Sequence, residues 1–123
     1  MGVEQARFET LVELLNASVA NGWAKMLLYV ELEDGVVSPA LFYEIDGALH
    51  QHLTEAEVHD ELFWLQEVFG PSVRAFELEF DRNRFDARFF YADKFDEGID
   101  PGARIEAAAL RCFGHTNILY VPL

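Results

Sequence analysis

The chain has only one cysteine, Cys112, and no long apolar run. A lone cysteine cannot form an intrachain disulfide, which favours a reducing cytosol. The first residues, MGVEQARFETL, lack the basic start and apolar stretch of a secretory signal, and the longest apolar runs are too short to span a bilayer. We therefore expect a cytoplasmic protein without membrane contact, folded as one domain over residues 1–123.

Basic residues are scarce in the first half of the chain. Residues 1–67 contain 13 Asp and Glu but only Arg7 and Lys25, so this half carries −11 of the net charge of −13. Since 51% of the residues are hydrophobic and 14% aromatic, the acidic residues must lie on a folded body. Such a surface repels nucleic acid and attracts cations or a basic protein, so we expect no nucleic-acid partner.

A small basic group interrupts this pattern in the second half. Arg82, Arg84 and Arg88 lie close together in sequence, next to Phe85 and Phe89. Basic and aromatic residues together are typical of nucleic-acid binding, but the overall charge argues against it here.

Hydrophobic periodicity divides the chain into three helices and five strands. A spacing near 3.6 indicates helices and alternation indicates strands, while Asp34-Gly35 and Asp46-Gly47 are typical of tight hairpin turns. The predicted helices span 3–21, a segment from Thr54 to Phe69, and about 101–113. The predicted strands span 24–33, 36–45, 48–52, 73–80 and 85–91.

These elements predict an α+β fold. Strands joined by tight turns are antiparallel, so we expect an antiparallel sheet of four to five strands. Two to three helices should pack on it, forming a layer on one face. Pro39 lacks an amide donor and predicts an edge position or a bulge. Thr54 and Glu57 have the spacing of a capping box, and the apolar tail 117–123 should dock on the domain.

Three histidines offer one alternative function. His50 and His52 would share a strand face, and His59 follows shortly after. Imidazoles are common metal ligands, so a small metal-binding or hydrolytic domain is an alternative. No recognised zinc spacing is present, and the same residues are ordinary polar side chains of a loop and a helix start. We therefore expect no metal and no cofactor.

Catalytic signatures are weak elsewhere. Cys112 and His115 could form a nucleophile pair, but Cys112 lies in an apolar helical segment, where thiols usually pack as small hydrophobes. Glu77 and Glu79 share a strand face and could hold a cation, although a solvated outer face is commoner. No glycine-rich phosphate loop is present. We expect a protein that is not an enzyme.

Two aromatic residues fall outside the core stripe of the second helix. Phe63 and Trp64 either pack under a neighbouring element or form an exposed anchor within a charged rim, as in protein-binding hot spots. A third arrangement buries both in a homodimer, which would suit an oligomeric adaptor protein.

The order of elements and aromatics resembles that of the YezG-like immunity proteins, which neutralise toxins of bacterial polymorphic-toxin systems. The resemblance rests on Gly22-Trp23 leading into the strand at Met26, on Phe42-Tyr43 in the returning strand, and on the acidic helix with Phe63-Trp64. It continues through the strands that begin near Phe76 and Phe85. It spans most of the chain, but residues 101–123 lack the aromatic and basic ending of that family.

The resemblance implies a non-enzymatic antitoxin with no catalytic residues. Its partner would be a cognate toxin, and the acidic surface favours a basic one such as a nuclease. The expected contact residues are Glu44, Asp46, Glu55, Glu57, Asp60, Glu61 and Trp64.

Overall fold

The computed structural model describes residues 3–19, 22–81 and 84–119, and these form an α+β fold. The helices are α1 (Val3–Ser18), α2 (Ala56–Phe69) and α3 (Pro101–Phe113), with 3-10 turns at Gly70–Ser72 and Ala92–Lys94. The strands are β1 (Met26–Glu33), β2 (Val36–Ile45), β3 (Ala48–His52), β4 (Val73–Phe80), β5 (Phe85–Tyr91) and β6 (Ile118–Leu119).

The strands form one six-stranded sheet in the order β5-β4-β1-β2-β3-β6. The five predicted strands are confirmed, and their pairings are antiparallel. The sheet has one strand more than expected because Ile118 and Leu119 pair with β3 in parallel. A two-residue strand is too short to show alternation, which is why the sequence did not reveal it. The start of the apolar tail therefore docks as predicted, while residues 120–123 lie outside the described residues.

The hairpin turns fix the register of the central strands. Asp46 and Gly47 both have positive φ, at 52° and 77°, as a tight two-residue turn requires. Pro39 pairs with Val30 on one side, while the β2–β3 ladder ends at the pair of Leu41 and His52. This end of β2 is therefore a local edge, and the prediction for Pro39 is confirmed.

Helices α1 and α2 cover one face of the sheet. Leu11 and Leu15 of α1 and Leu62 and Leu65 of α2 are completely buried against the sheet. Phe8 lies at the centre of an aromatic cluster, with its ring centre 5.9–6.3 Å from those of its neighbours. Those neighbours are Phe69, Phe76, Phe85 and Phe89.

Helix α3 covers the opposite face, so the predicted one-sided helical layer is wrong. Ala108 and Cys112 of α3 belong to a second buried cluster with Leu27, Tyr29 and Phe42. The first residues of β1 are apolar on both faces: alternate residues such as Leu28 face α1 and α2, while Leu27 and Tyr29 face α3. A strand buried on both faces needs a cover on each side.

The predicted capping box of α2 is also wrong. The N-cap is Glu55, which makes no side-chain capping hydrogen bond. The Thr54 hydroxyl instead contacts His59 Nε2 at 2.7 Å. Helix α3, in contrast, begins and ends as expected. The Asp100 carboxylate accepts a hydrogen bond from the Ala103 amide, and Gly114 closes the helix with φ of 79°.

A nearly buried ion pair joins α3 to the centre of the sheet. Arg104 donates two hydrogen bonds to Glu31, at 2.6 and 2.9 Å, and the Tyr29 hydroxyl donates a third at 2.9 Å. Both charged side chains are only 11–12% exposed. Burial alone would raise the pKa of Glu31, but the hydrogen bonds from Arg104 and Tyr29 hold it below its ordinary value of 4.5. The Glu31 carboxylate is thus charged and fully engaged.

We expect Arg104→Met to lower the free energy of unfolding by about 3 kcal/mol near pH 7, because it leaves the Glu31 charge without its cation. Urea unfolding at equilibrium measures this. Lys94→Met removes one exposed cation from the same side of the sheet and is the matched control. An equal loss in both variants would contradict the assigned role of the pair.

The effect of Arg104→Met should depend on pH. The pKa of Glu31 is lower in the folded protein, so the stabilisation is fully present above the ordinary value of 4.5 and is lost as the pH falls through the folded value. The difference in unfolding free energy between the wild type and Arg104→Met should therefore shrink towards pH 3. A difference that stays constant between pH 7 and pH 3 would show that lost packing, not lost charge, causes the effect.

Candidate partner-binding surface

Most of the described basic side chains are used inside the protein. Six of them form an ion pair with a carboxylate, with a nitrogen–oxygen distance of less than 4 Å. Several of these ion pairs join separate elements. Glu77, which is 5% exposed, accepts both Arg88 and Arg111, so the expected solvated position for it is wrong. The six are Arg7, Lys25, Arg74, Arg88, Arg104 and Arg111.

The outer surface of α1 and α2 is, in contrast, acidic. The two helices contain one basic residue, Arg7, and its guanidinium is turned towards α2. There it pairs with Glu61 at 3.0 Å and lies 4.2 Å from the centre of the Trp64 ring. The exposed carboxylates at this surface, which we call the acidic helical layer, are those of Glu9, Glu13, Glu55, Glu57, Asp60 and Glu67.

The predicted contact residues divide into two groups. Glu55, Glu57 and Asp60 are exposed within the acidic helical layer, and Asp46 is exposed in the β2–β3 turn. Glu44 lies on the opposite face of the sheet, where its carboxylate contacts His115 Nε2 at 2.7 Å. Alternation along β2 explains this position, because Tyr43 and Ile45 face α1 and α2 and the residue between them must face α3.

Glu61 and Trp64 lie on α2 beside the acidic helical layer, but both contact α1. The Glu61 side chain is 18% exposed and is held by Arg7, which also covers one face of Trp64. Trp64 therefore packs against a neighbouring element, the first of the three arrangements predicted for it. The expected list also omitted Glu9, Glu13 and Glu67, whose exposed positions follow from the spacing of the buried residues on each helix.

Phe63 is the exposed aromatic residue of α2. It is 43% exposed and lines a groove of about 690 Å³ between the C-terminal half of α2 and the β1–β2 turn. Glu33, Asp34 and Glu67 are the acidic residues of the groove lining, which also contains Arg74, the ion-pair partner of Glu33. Asp34 and Glu67 beside an apolar ring suit a side chain that has an apolar stem and a cationic head.

The three histidines do not form a cluster. His50 stacks on the Tyr43 ring at 5.2 Å and His52 meets its edge at 6.5 Å, so they share a face as predicted. His59 lies on α2 and contacts Thr54. Among the residues that the structure describes, no group of three or more His, Cys, Asp or Glu could hold a metal ion.

Cys112 and His115 are also separate. The thiol is buried against the sheet, and burial together with Glu79 raises its pKa to about 12. The His115 ring contacts Glu44 through one nitrogen and accepts the Asn117 amide through the other. A thiol that stays protonated is a poor nucleophile, so the arrangement offers no activated cysteine.

Comparison with known proteins gives no identification. No protein-family model matches the chain, and no curated protein matches it. The resemblance to the YezG-like immunity proteins therefore rests on the pattern of aromatics and elements alone. Within the described ranges, no helix is long and apolar enough to cross a membrane.

Proposed function

We propose that this chain is a non-enzymatic immunity protein that binds and neutralises a cognate toxin domain. The observation that carries the proposal is the segregation of charge: most of the described basic side chains pair with carboxylates of the protein itself, while the acidic helical layer has its carboxylates exposed. Its favoured partner is a nuclease, because an enzyme that binds a polyanion has a basic active surface. The protein would act in the cytoplasm by covering that surface.

Electrostatics and an apolar anchor would have separate roles in this complex. Exposed carboxylates attract a basic partner at long range and raise the association rate. Phe63, at the margin of the layer, would enter a pocket of the partner and slow dissociation. The two roles can be tested separately because they affect different rate constants.

The first experiment is capture of the product of the adjacent gene. The wild-type protein, immobilised at low salt, should retain a toxin-like C-terminal domain encoded beside it, and excess protein should abolish the activity of that domain. Failure to retain the neighbouring product, with both proteins folded, would overturn the proposal.

Neutralising the layer should slow association. We expect Glu57→Gln combined with Asp60→Asn to lower the association rate constant for the captured toxin by roughly threefold to tenfold at low salt, and by less as salt rises. Stopped-flow mixing or surface plasmon resonance measures it. Asp93→Asn combined with Glu106→Gln makes the same charge change outside α1 and α2 and should have a smaller effect. Equal effects of the two double substitutions would show that the association rate depends on the net charge of the protein and not on the position of the layer. We leave Glu61 unchanged because its loss would break the contact with Arg7.

Truncation of the anchor should speed dissociation. Phe63→Ala should raise the dissociation rate constant on the order of tenfold, with little change in the association rate constant. Val68→Ala is the control because Val68 is similarly exposed on the same helix, at 41%, and does not line the groove. An unchanged dissociation rate for Phe63→Ala would exclude the groove from the interface.

A further inference from the structure

Strand β5 forms one edge of the sheet. It pairs with β4 along seven residues, Phe85–Tyr91, and no other described strand lies on its outer side. An edge of this length presents a row of unpaired backbone donors and acceptors. At the opposite end of the sheet, the described part of β6 is two residues, Ile118–Leu119.

The edge is firmly held. Phe85 and Phe89 lie 6.3 and 6.1 Å from Phe8, ring centre to ring centre, in the aromatic cluster beneath α1 and α2. On the other face of the strand, Arg88 pairs with the buried Glu77 at 3.2 Å. A strand fixed on both faces is already in the conformation that an added strand would need.

The sequence of β5 is self-complementary about Ala87. If a second copy of β5 lies antiparallel with the two Ala87 residues opposite each other, Asp86 faces Arg88 of the second copy and Phe85 faces Phe89 of the second copy. Residues directly opposite in an antiparallel pair share a face, so charge meets opposite charge and aromatic meets aromatic.

The neighbouring registers are disfavoured. A two-fold axis perpendicular to the sheet places one residue of β5 directly opposite the same residue of the second copy. If that residue is Asp86 or Arg88, the neighbours of Ala87, two like charges are opposite each other. Within one chain, Asp86 lies opposite Glu79 of β4, whose carboxylate pairs with Lys25 at 3.7 Å. The Arg88 guanidinium of a second copy would supply a further cation, opposite Asp86 itself.

We propose that the protein forms a two-fold dimer in which β5 pairs antiparallel with β5 of a second copy, centred on Ala87. The two sheets would then be continuous. Because the axis is perpendicular to the sheet, both acidic helical layers would lie on the same side of the dimer. This proposal does not depend on the proposed function.

Sedimentation equilibrium and a charge substitution test the interface. The wild type should sediment with the mass of two chains at micromolar concentration. Asp86→Arg places like charges opposite each other twice in the dimer and should raise the dissociation constant on the order of tenfold or more. The control is Asp93→Asn, because Asp93 is exposed just beyond β5. This variant should leave the dissociation constant of the dimer unchanged. A monomeric wild type at 100 μM would overturn the proposal.

A cross-link tests the register. Cys112 is the sole cysteine and is buried, so a disulfide between two copies of a cysteine variant would form at the introduced thiol. Ala87→Cys should yield a covalent dimer on mild oxidation, since the two introduced thiols would be directly opposite. Ala92→Cys, exposed in the turn after β5, should remain largely monomeric. Equal cross-linking of both variants, or none at Ala87→Cys when the wild type is dimeric, would refute this register.

Discussion

A shortage of cations constrains this structure. The chain has nine Lys and Arg for 22 Asp and Glu, and the described ion pairs use the cations to connect elements. Arg7 joins α1 to α2, while Arg104 and Arg111 join α3 to carboxylates on the sheet. Each of these contacts neutralises an acid that packing would otherwise leave in a poorly hydrated position. Most of the other described acids are exposed, so the internal ion pairs and the acidic exterior both follow from the same excess of acidic residues.

The two faces of the sheet are packed differently. Beneath α1 and α2 the core is aliphatic and aromatic, with Phe8 at its centre. Beneath α3 the apolar cluster is smaller, and Glu31 and Glu77 lie at its margin. Small residues such as Ala108 and Ala109 let α3 approach the sheet closely, and the arginines of α3 then reach these two carboxylates. The attachment of α3 therefore depends on charge far more than that of α1 and α2.

Local patterns predicted most of the fold. Strands β2 to β5 begin and end where alternation and turn residues placed them, because hairpin chemistry is encoded in adjacent residues. Two features depended on distant residues instead. The side of the sheet that α3 covers is set by its contacts with Leu27 and Tyr29 of β1, and the pairing of β6 with β3 is a tertiary contact. The predicted cap of α2 failed for a local reason, because the Thr54 hydroxyl bonds His59, five positions along the chain, in place of an amide. Glu44 is separate from the other expected contact residues because alternation along β2 places it on the α3 face, where it contacts His115, 71 positions along the chain.

The position of the acidic helical layer relative to β5 determines how the two proposals fit together. Phe85 and Phe89 of β5 lie under α1, while the groove at Phe63 opens between α2 and the β1–β2 turn, among residues separate from those at the edge of β5. Pairing through β5 would leave Phe63 and the exposed acids of α2 accessible in both copies. Self-repulsion of two acidic bodies opposes dimerisation, but residues 68–123, which contain β5, carry only −2 of the net charge. Within β5 the charges of Asp86 and Arg88 cancel, so a second copy would meet little repulsion along this strand, whereas the exposed carboxylates of the acidic helical layer would attract a basic partner.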